Sequence, residues 1–365
     1  MSPTGTGVTW WEANGDASVR TSDEGIYAAT IPSSGCPAPK TLIAAGGSYP
    51  FWGSAAVDAA VPPNTAPVVT ITAKPGTFSR STAASISYAV KDTTDFSVTT
   101  TCTLDGKAIS CGSPKTLSAL AQGKHSLLVT AKDPEGATGS ASASWTVDTG
   151  LPAFTVAIPA AATVGSSVVF LWSGKDSVSG IAGYDIQSTY ASYQGSFAAW
   201  TTKATSTTAT SYTVSGLKPG FEYCVRIRAR DKAGNVSAYS PARCTTHPMD
   251  DRSLTASAGW TRPSVTSAYA HTETQSTHSG ASLTLASARV ANRVGVLATV
   301  TTTGGSVAVY VGSTKIGTLS LKASAAHYQT PLWLTVSSAK TGTLSIKMLS
   351  ASQVRIDGLL SLRTP

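Results

Sequence analysis

Nineteen Asp and Glu and five His are the groups this sequence offers for acid–base or metal chemistry. Cleaving a glycosidic bond needs two carboxyl groups facing each other across a cleft, one of them buried enough to keep its proton. Here the acids fall almost entirely in Gly-, Pro- and Ser-rich turns. The one adjacent pair, Asp250-Asp251, lies in a linker-like stretch, where neighbours on an extended chain point apart. No Gly-x-Ser-x-Gly, His-Glu-x-x-His, phosphate loop or Gly-x-Gly-x-x-Gly occurs. The histidines His125, His247, His271, His278 and His327 match no metal-ligand spacing. These absences predict a chain that is not an enzyme and carries no cofactor.

The five cysteines contain no Cys-x-x-Cys, and turn chemistry pairs four of them. Cys102 and Cys111 flank Thr-Leu-Asp-Gly-Lys-Ala-Ile-Ser, whose Asp105-Gly106 is a hairpin signal. Cys224 and Cys244 are symmetric about Gly234 in Asp-Lys-Ala-Gly-Asn. Two cross-strand disulfides and an oxidising compartment follow as expectations. Cys36 is left over, as a free thiol or a bond to something outside this sequence.

Lys and Arg number 27 against 19 acids, a net charge of +8. No run of five basic residues occurs, so nucleic acid is not an expected partner. The local cluster is Arg226, Arg228 and Arg230 in Cys-Val-Arg-Ile-Arg-Ala-Arg. Its period of two places the arginines on one face of a strand and Val225, Ile227 and Ala229 on the other. That face is either simply solvated or a contact for an anionic wall polymer. Saccharide sites use an aromatic platform with polar groups beside it. Trp260, Arg262, Tyr269 and His271 are the candidate ligand-binding set, whereas Tyr310 and Trp333 lie in strand-like runs and are assigned to the core.

The elements that must position these groups are strands. Charged residues are only 13% of the chain while apolar ones reach 41%, which excludes a coiled coil and extended disorder. Short Val, Ile, Thr and Tyr runs alternate with Gly, Pro, Asp and Ser clusters, so the fold class is all-β, as tandem β-sandwiches. Proline-bearing linkers at 61–67, 148–152 and 245–251 divide the chain into 1–60, 65–150, 152–247 and 252–365. No apolar stretch reaches the ~18 residues that would cross a membrane. The opening residues are neither basic nor apolar, so the chain is expected to be a processed piece or part of a longer product.

Four stretches carry resemblances. Val168-Val-Phe-Leu-Trp172, followed by Ser215-Gly-Leu-Lys-Pro-Gly-Phe-Glu-Tyr223, resembles a bacterial fibronectin type III domain over 152–247. The resemblance implies that Trp172 is the core tryptophan and that Leu217 and Tyr223 form the tyrosine corner. Residues 65–150, with Cys102-Thr-Leu-Asp-Gly-Lys-Ala-Ile-Ser-Cys111 and Trp145-Thr-Val-Asp148, are similar to bacterial immunoglobulin-like repeats, which implies a spacer. Asp133, Glu135 and Asp148 are calcium candidates at that module's junction, against the simpler assignment as turn residues. Residues 252–365, with Gly305-Ser-Val-Ala-Val-Tyr-Val and Val354-Arg-Ile-Asp-Gly, resemble a galactose-binding-like jelly roll, the fold of many carbohydrate-binding modules. Residues 1–60, an N-terminal β fragment with Gly47-Ser-Tyr-Pro-Phe-Trp-Gly, resemble the closing blade of a TolB-like β-propeller.

Together these readings imply a secreted, monomeric, non-catalytic modular protein, extracellular or wall-associated. It would space and present a module for polysaccharide or cell-wall polymer. The alternatives are the C-terminal appendage of a secreted polysaccharide hydrolase or peptidase, and a phage tail or fibre subunit.

Overall fold

The computed structural model describes residues 63–95 and 97–365, together with the strands Gly25–Ala28 and Thr41–Ala45, which pair antiparallel. Cys36, Trp10, Trp11 and most of the propeller-like stretch lie outside the described residues. Among the described residues the only helical turns are Asp251–Ser253 and Tyr269–His271, and the fold is all-β. Among the described residues no helix is long and apolar enough to cross a membrane.

The chain separates into two compact units. One comprises Met1–Ala66 with Asp92–Ser97 and Asp133–Ala137. Within it, Asp133 accepts hydrogen bonds from Asn64 Nδ2 at 2.9 Å and from the Ala137 N–H at 2.7 Å. The other unit, Pro67–Lys91, Val98–Lys132 and Thr138–Pro365, contains three sandwich cores.

The first core lies between a five-stranded sheet and a three-stranded one. The former runs in the order Phe78–Ser79, Thr138–Val147, Gly123–Lys132, Thr99–Leu104, Lys107–Ile109; the latter is Val68–Ala73, Ala84–Lys91, Lys115–Leu117. Alternation decides the inward face: Leu127, Val129 and Ala131 are fully buried, whereas Leu128 is 39% exposed. Each fully buried Leu or Val contributes roughly 1.5–3 kcal/mol. Leu104 pairs with Lys107 across Asp105 and Gly106, both at positive φ, as a two-residue hairpin turn requires. This hairpin brings Cys102 and Cys111 into a disulfide.

The second core packs Ala153–Val156, Ser167–Lys175 and Ser211–Ser215 against a four-stranded sheet. That sheet runs Thr201–Thr207, Ile181–Ser192, Phe221–Asp231, Arg243–His247. Trp172 is buried edge-on to Tyr184, with ring centroids 5.9 Å apart. Tyr223 is buried beside Leu217, and its hydroxyl accepts the Lys218 N–H at 2.7 Å, closing the corner before strand Phe221–Asp231. Cys224 faces Cys244 across adjacent strands and the two are disulfide-bonded.

The third core is wrapped by a single eight-stranded hydrogen-bonded network. Two very long strands, Ser282–Val300 and His327–Met348, pair antiparallel at its centre. Register shifts at 285–288, 290–292 and 298–300 bend them, and Ser287 and Asn292 adopt positive φ there.

Candidate ligand-binding surfaces

The outer face of the four-stranded sheet is built by register. Asp185 stands opposite Arg228 and Gln187 opposite Arg226, while Val225, Ile227 and Ala229 fill the core at 0% exposure. Asp185 is buried beneath the arginines. It accepts Arg228 Nε at 2.7 Å, Arg230 Nη2 at 2.7 Å and the Ser206 N–H at 2.9 Å. Burial alone would raise its pKa, but the hydrogen bonds from Arg230, Ser206 and Arg228 outweigh it and hold the carboxyl at about 2.

Arg226 is held differently. Its Nε and Nη2 both donate to Gln187 Oε1, at 2.9 and 2.6 Å. Its guanidinium carbon lies 4.4 Å from the Trp200 ring centre and 4.6 Å from that of Tyr239, and Arg228 stacks on the same Tyr239 ring at 4.8 Å. The face that spacing predicts as solvated is therefore an ordered ladder of alternating cations and rings. Gln187, Trp200 and Tyr239 escaped sequence reasoning, because each sits in a different strand or loop and no local pattern links them.

The four residues proposed from sequence as a saccharide platform lie in different surroundings. Tyr269 is buried, with its hydroxyl 3.0 Å from His247 Nε2 and its ring edge-on to the imidazole. His247 Nδ1 lies 2.8 Å from the Thr163 carbonyl and so donates to it, leaving Nε2 to accept from Tyr269. Burial lowers the His247 pKa, in keeping with this neutral tautomer. Arg262 donates to the Leu254 and Arg252 carbonyls at 2.5 and 3.3 Å. Trp260 packs half-buried against the third core, and His271 is exposed, with Nδ1 2.9 Å from the Thr266 carbonyl. Through its His247 contact and a 3.3 Å hydrogen bond to the Pro248 carbonyl, Tyr269 links the last segment to the loop before it.

Beneath Tyr269 lies a group of buried acids. Asp251, Glu273 and Asp357 are each 0% exposed. Thr272 donates to Asp251 at 2.7 Å and, at 3.4 Å, to Asp250. The expectation that Asp250 and Asp251 point apart is thus corrected, because Asp251 opens a tight helical turn and is not extended. Asp357 Oδ2 accepts the Tyr269 N–H at 3.0 Å, and Oδ1 has no protein partner among the described residues. Glu273 pairs with Arg355 Nη2 at 2.8 Å. Burial raises Asp251 to about 6 and Asp357 to about 7. Raised carboxyl pKa values mark catalytic acids where a cleft reaches them. These are sealed in protein, out of reach of a substrate.

The calcium candidates are divided. Asp133 gathers with Asp92 and Asp95, Asp148 gathers with Asp176 and Asp231, and Glu135 joins neither group. In the second group backbone N–H groups take the oxygens: Asp148 accepts from Gly150 and from the distant Ser179, Asp176 from Val178 and Gly180, and Asp231 from Asn235.

Comparison with known proteins gives partial matches. Chitinase A1 of Niallia circulans is 33% identical over 140 residues, covering 36% of this chain and 18% of the enzyme. Exoglucanase A of Cellulomonas fimi is 38% identical over 128 residues, covering 32% of this chain and 13% of the enzyme. Exoglucanase B of the same organism is 36% identical over 103 residues, or 28% and 8%. The chain thus spans less than a fifth of the length of these relatives. Among solved structures, a 1.5-MDa bacterial ice-binding adhesin aligns over 79% of this chain and 99% of that one, with a TM-score of 0.28 and 12% identity. A carbohydrate-binding module of the β-sandwich superfamily aligns over 83% and 100%, with a TM-score of 0.22 and 10% identity. Residues 158–245 match the family model of the fibronectin type III domain, and the sandwich with its tyrosine corner is that fold.

Proposed function

We propose that this chain is a non-catalytic accessory protein of the extracellular space, with modules at 65–150, 152–247 and 252–365 that space and hold a polysaccharide-contacting surface. One observation carries this reading: 33–38% identity to limited parts of a chitinase and two exoglucanases. The two disulfides support an oxidising compartment. Sealing of the perturbed carboxyls inside the last segment supports a non-catalytic role.

A second reading makes the chain the appendage of a polysaccharide hydrolase. It is favoured by the small share of those long enzymes that the chain spans. Both readings predict that the chain co-sediments with chitin or cellulose and releases no soluble reducing sugar from either. Absence from every polysaccharide pellet would remove the binding role, and sugar release would remove the non-catalytic one.

A further inference from the structure

We infer that the arginine ladder on the outer face of the fibronectin type III sandwich is a binding site for a carboxylate-bearing polysaccharide. This rests on the reading of the chain as a polysaccharide-contacting protein and names the site and the ligand chemistry.

Charge is the first support. Arg228 and Arg230 share the single carboxylate of Asp185. Arg226 has no carboxylate partner among the described residues, so the ladder keeps two positive charges in excess. In register, Gln187 faces Arg226 as Asp185 faces Arg228. A carboxylate at 187 would neutralise Arg226; the amide orients the guanidinium and leaves its charge intact.

Unused donors are the second support. Gln187 takes Nε and Nη2 of Arg226, and among the described residues Nη1 has no hydrogen-bond partner. Among the described residues Arg228 uses only Nε, which leaves both of its terminal nitrogens for a ligand. Stacking on Tyr239 holds both groups, so little side-chain entropy is lost when an oxyanion docks end-on. Arg228 and Arg230 are each about one-third exposed, so the face is open to a polymer.

Geometry selects the class. Arg226 and Arg228 are two residues apart on one strand, so their attachment points lie roughly 6.6 Å apart along it. That separation suits successive single charges on a chain of sugars better than one dianion. Trp200 and Tyr239 flank the cations with flat apolar rings, the surface on which sugar C–H groups pack. Nucleic acid, whose binders neutralise about 6–10 phosphates, asks for more free cations than this ladder holds.

The test is affinity electrophoresis of the full chain in gels containing polygalacturonate, soluble chitin, a soluble cellulose derivative without charge, or polyphosphate. The variants are Arg226→Gln and Gln187→Glu. The second supplies an internal carboxylate to Arg226, and an unchanged near-ultraviolet circular dichroism spectrum verifies its fold. Polygalacturonate retards the parent chain, and each variant binds about tenfold more weakly, the loss of one charge-assisted contact. Equal retardation of parent and Gln187→Glu, or none, overturns the inference; retention on the neutral glycans would then leave the polysaccharide role standing. Stronger retardation by polyphosphate overturns the carboxylate assignment, and failure on all four polymers overturns both the site and the role.

Discussion

Glu222 and Arg363 are 141 residues apart in sequence and meet as a buried ion pair, with Arg363 Nε 2.7 Å from Glu222 Oε2. Glu222 is 0% exposed and the Arg363 side chain 8%. Arg363 also donates to the Gly195 and Ser192 carbonyls at 2.9 and 2.7 Å, and its guanidinium carbon lies 5.3 Å from the Phe197 ring centre. In the same loop, Tyr193 is buried within the third core and accepts the Arg289 N–H at 2.8 Å. One end of the fibronectin type III sheet is therefore tied to the end of the last strand. Removing one member of a buried pair strands the other, at a typical cost of 3–5 kcal/mol. Arg363→Met is expected to lower unfolding free energy by about that amount. Adding Glu222→Gln should recover part of the loss. Urea unfolding of both variants measures this, and an Arg363→Met midpoint equal to the parent's contradicts the tie.

The acids under Tyr269 set a pH dependence whose sign follows from their burial. Asp357 faces Glu273, Asp251 and Asp250, with Tyr269 above it, and the nearest described ion pair is that of Arg355 with Glu273. Its folded pKa of about 7, raised by burial, exceeds the ordinary aspartate value of 3.8. The folded protein thus keeps a proton that the unfolded chain releases. The contribution is full below about pH 4 and is lost as pH rises through 7. Asp251, raised to about 6, acts in the same direction. His247 opposes them: with its pKa lowered by burial, its contribution is present above 6.5 and is lost as pH falls. Asp357→Asn keeps an acceptor for the Tyr269 N–H and removes the proton. Its stability gain over the parent should be larger at pH 8 than at pH 5 by roughly 2–3 kcal/mol. Denaturant titrations at the two pH values decide this, and a variant parallel to the parent at both contradicts it.

Both disulfides close hairpin-like segments, with sequence separations of 9 and 20 residues. Loop-closure entropy assigns the longer one about 3 kcal/mol and the shorter one somewhat less. Cys224→Ser with Cys244→Ser should therefore cost more stability than Cys102→Ser with Cys111→Ser. Thermal unfolding of the two double variants ranks them, and the reverse order counts against the entropic account.

Local rules made much of this legible. A period of two placed Arg226, Arg228 and Arg230 on one face and buried Val225, Ile227 and Ala229. Turn chemistry at Asp105-Gly106 paired Cys102 with Cys111. What local rules could not show was what covers a face. Gln187, Trp200 and Tyr239 reach Arg226 across strands, and Glu222 meets Arg363 from the far end of the sequence. The burial of Tyr269 is of the same kind, because an aromatic ring in a polar loop looks the same in sequence whether or not another segment packs over it. Asp250-Asp251 read as extended for a similar reason: a three-residue helical turn leaves no periodicity to detect.

The long strand Ser282–Val300 depends on one position where a side chain has no room. At Gly295, which pairs with both Trp333 and Leu360, a Cβ would fall 1.9 Å from the Leu332 carbonyl oxygen. Leu332 belongs to the neighbouring strand, so the obstacle is backbone and cannot rotate away. Central pairing on both sides then leaves the strand two responses, lengthening of its ladder hydrogen bonds or displacement of His327–Met348. Either disturbs the buried Val294 and Val296, which flank Gly295 and belong to the third core. Overpacking of this kind costs about 1–3 kcal/mol, and more where backbone must move. Gly312 is the control, because it sits in a two-residue turn with nothing within 4 Å of its added Cβ. Its φ of 60° still disfavours a side chain, at about 1 kcal/mol. Gly295→Ala should therefore destabilise the chain by at least twice as much as Gly312→Ala. Equal unfolding midpoints for the two would show that the Leu332 strand gives way freely.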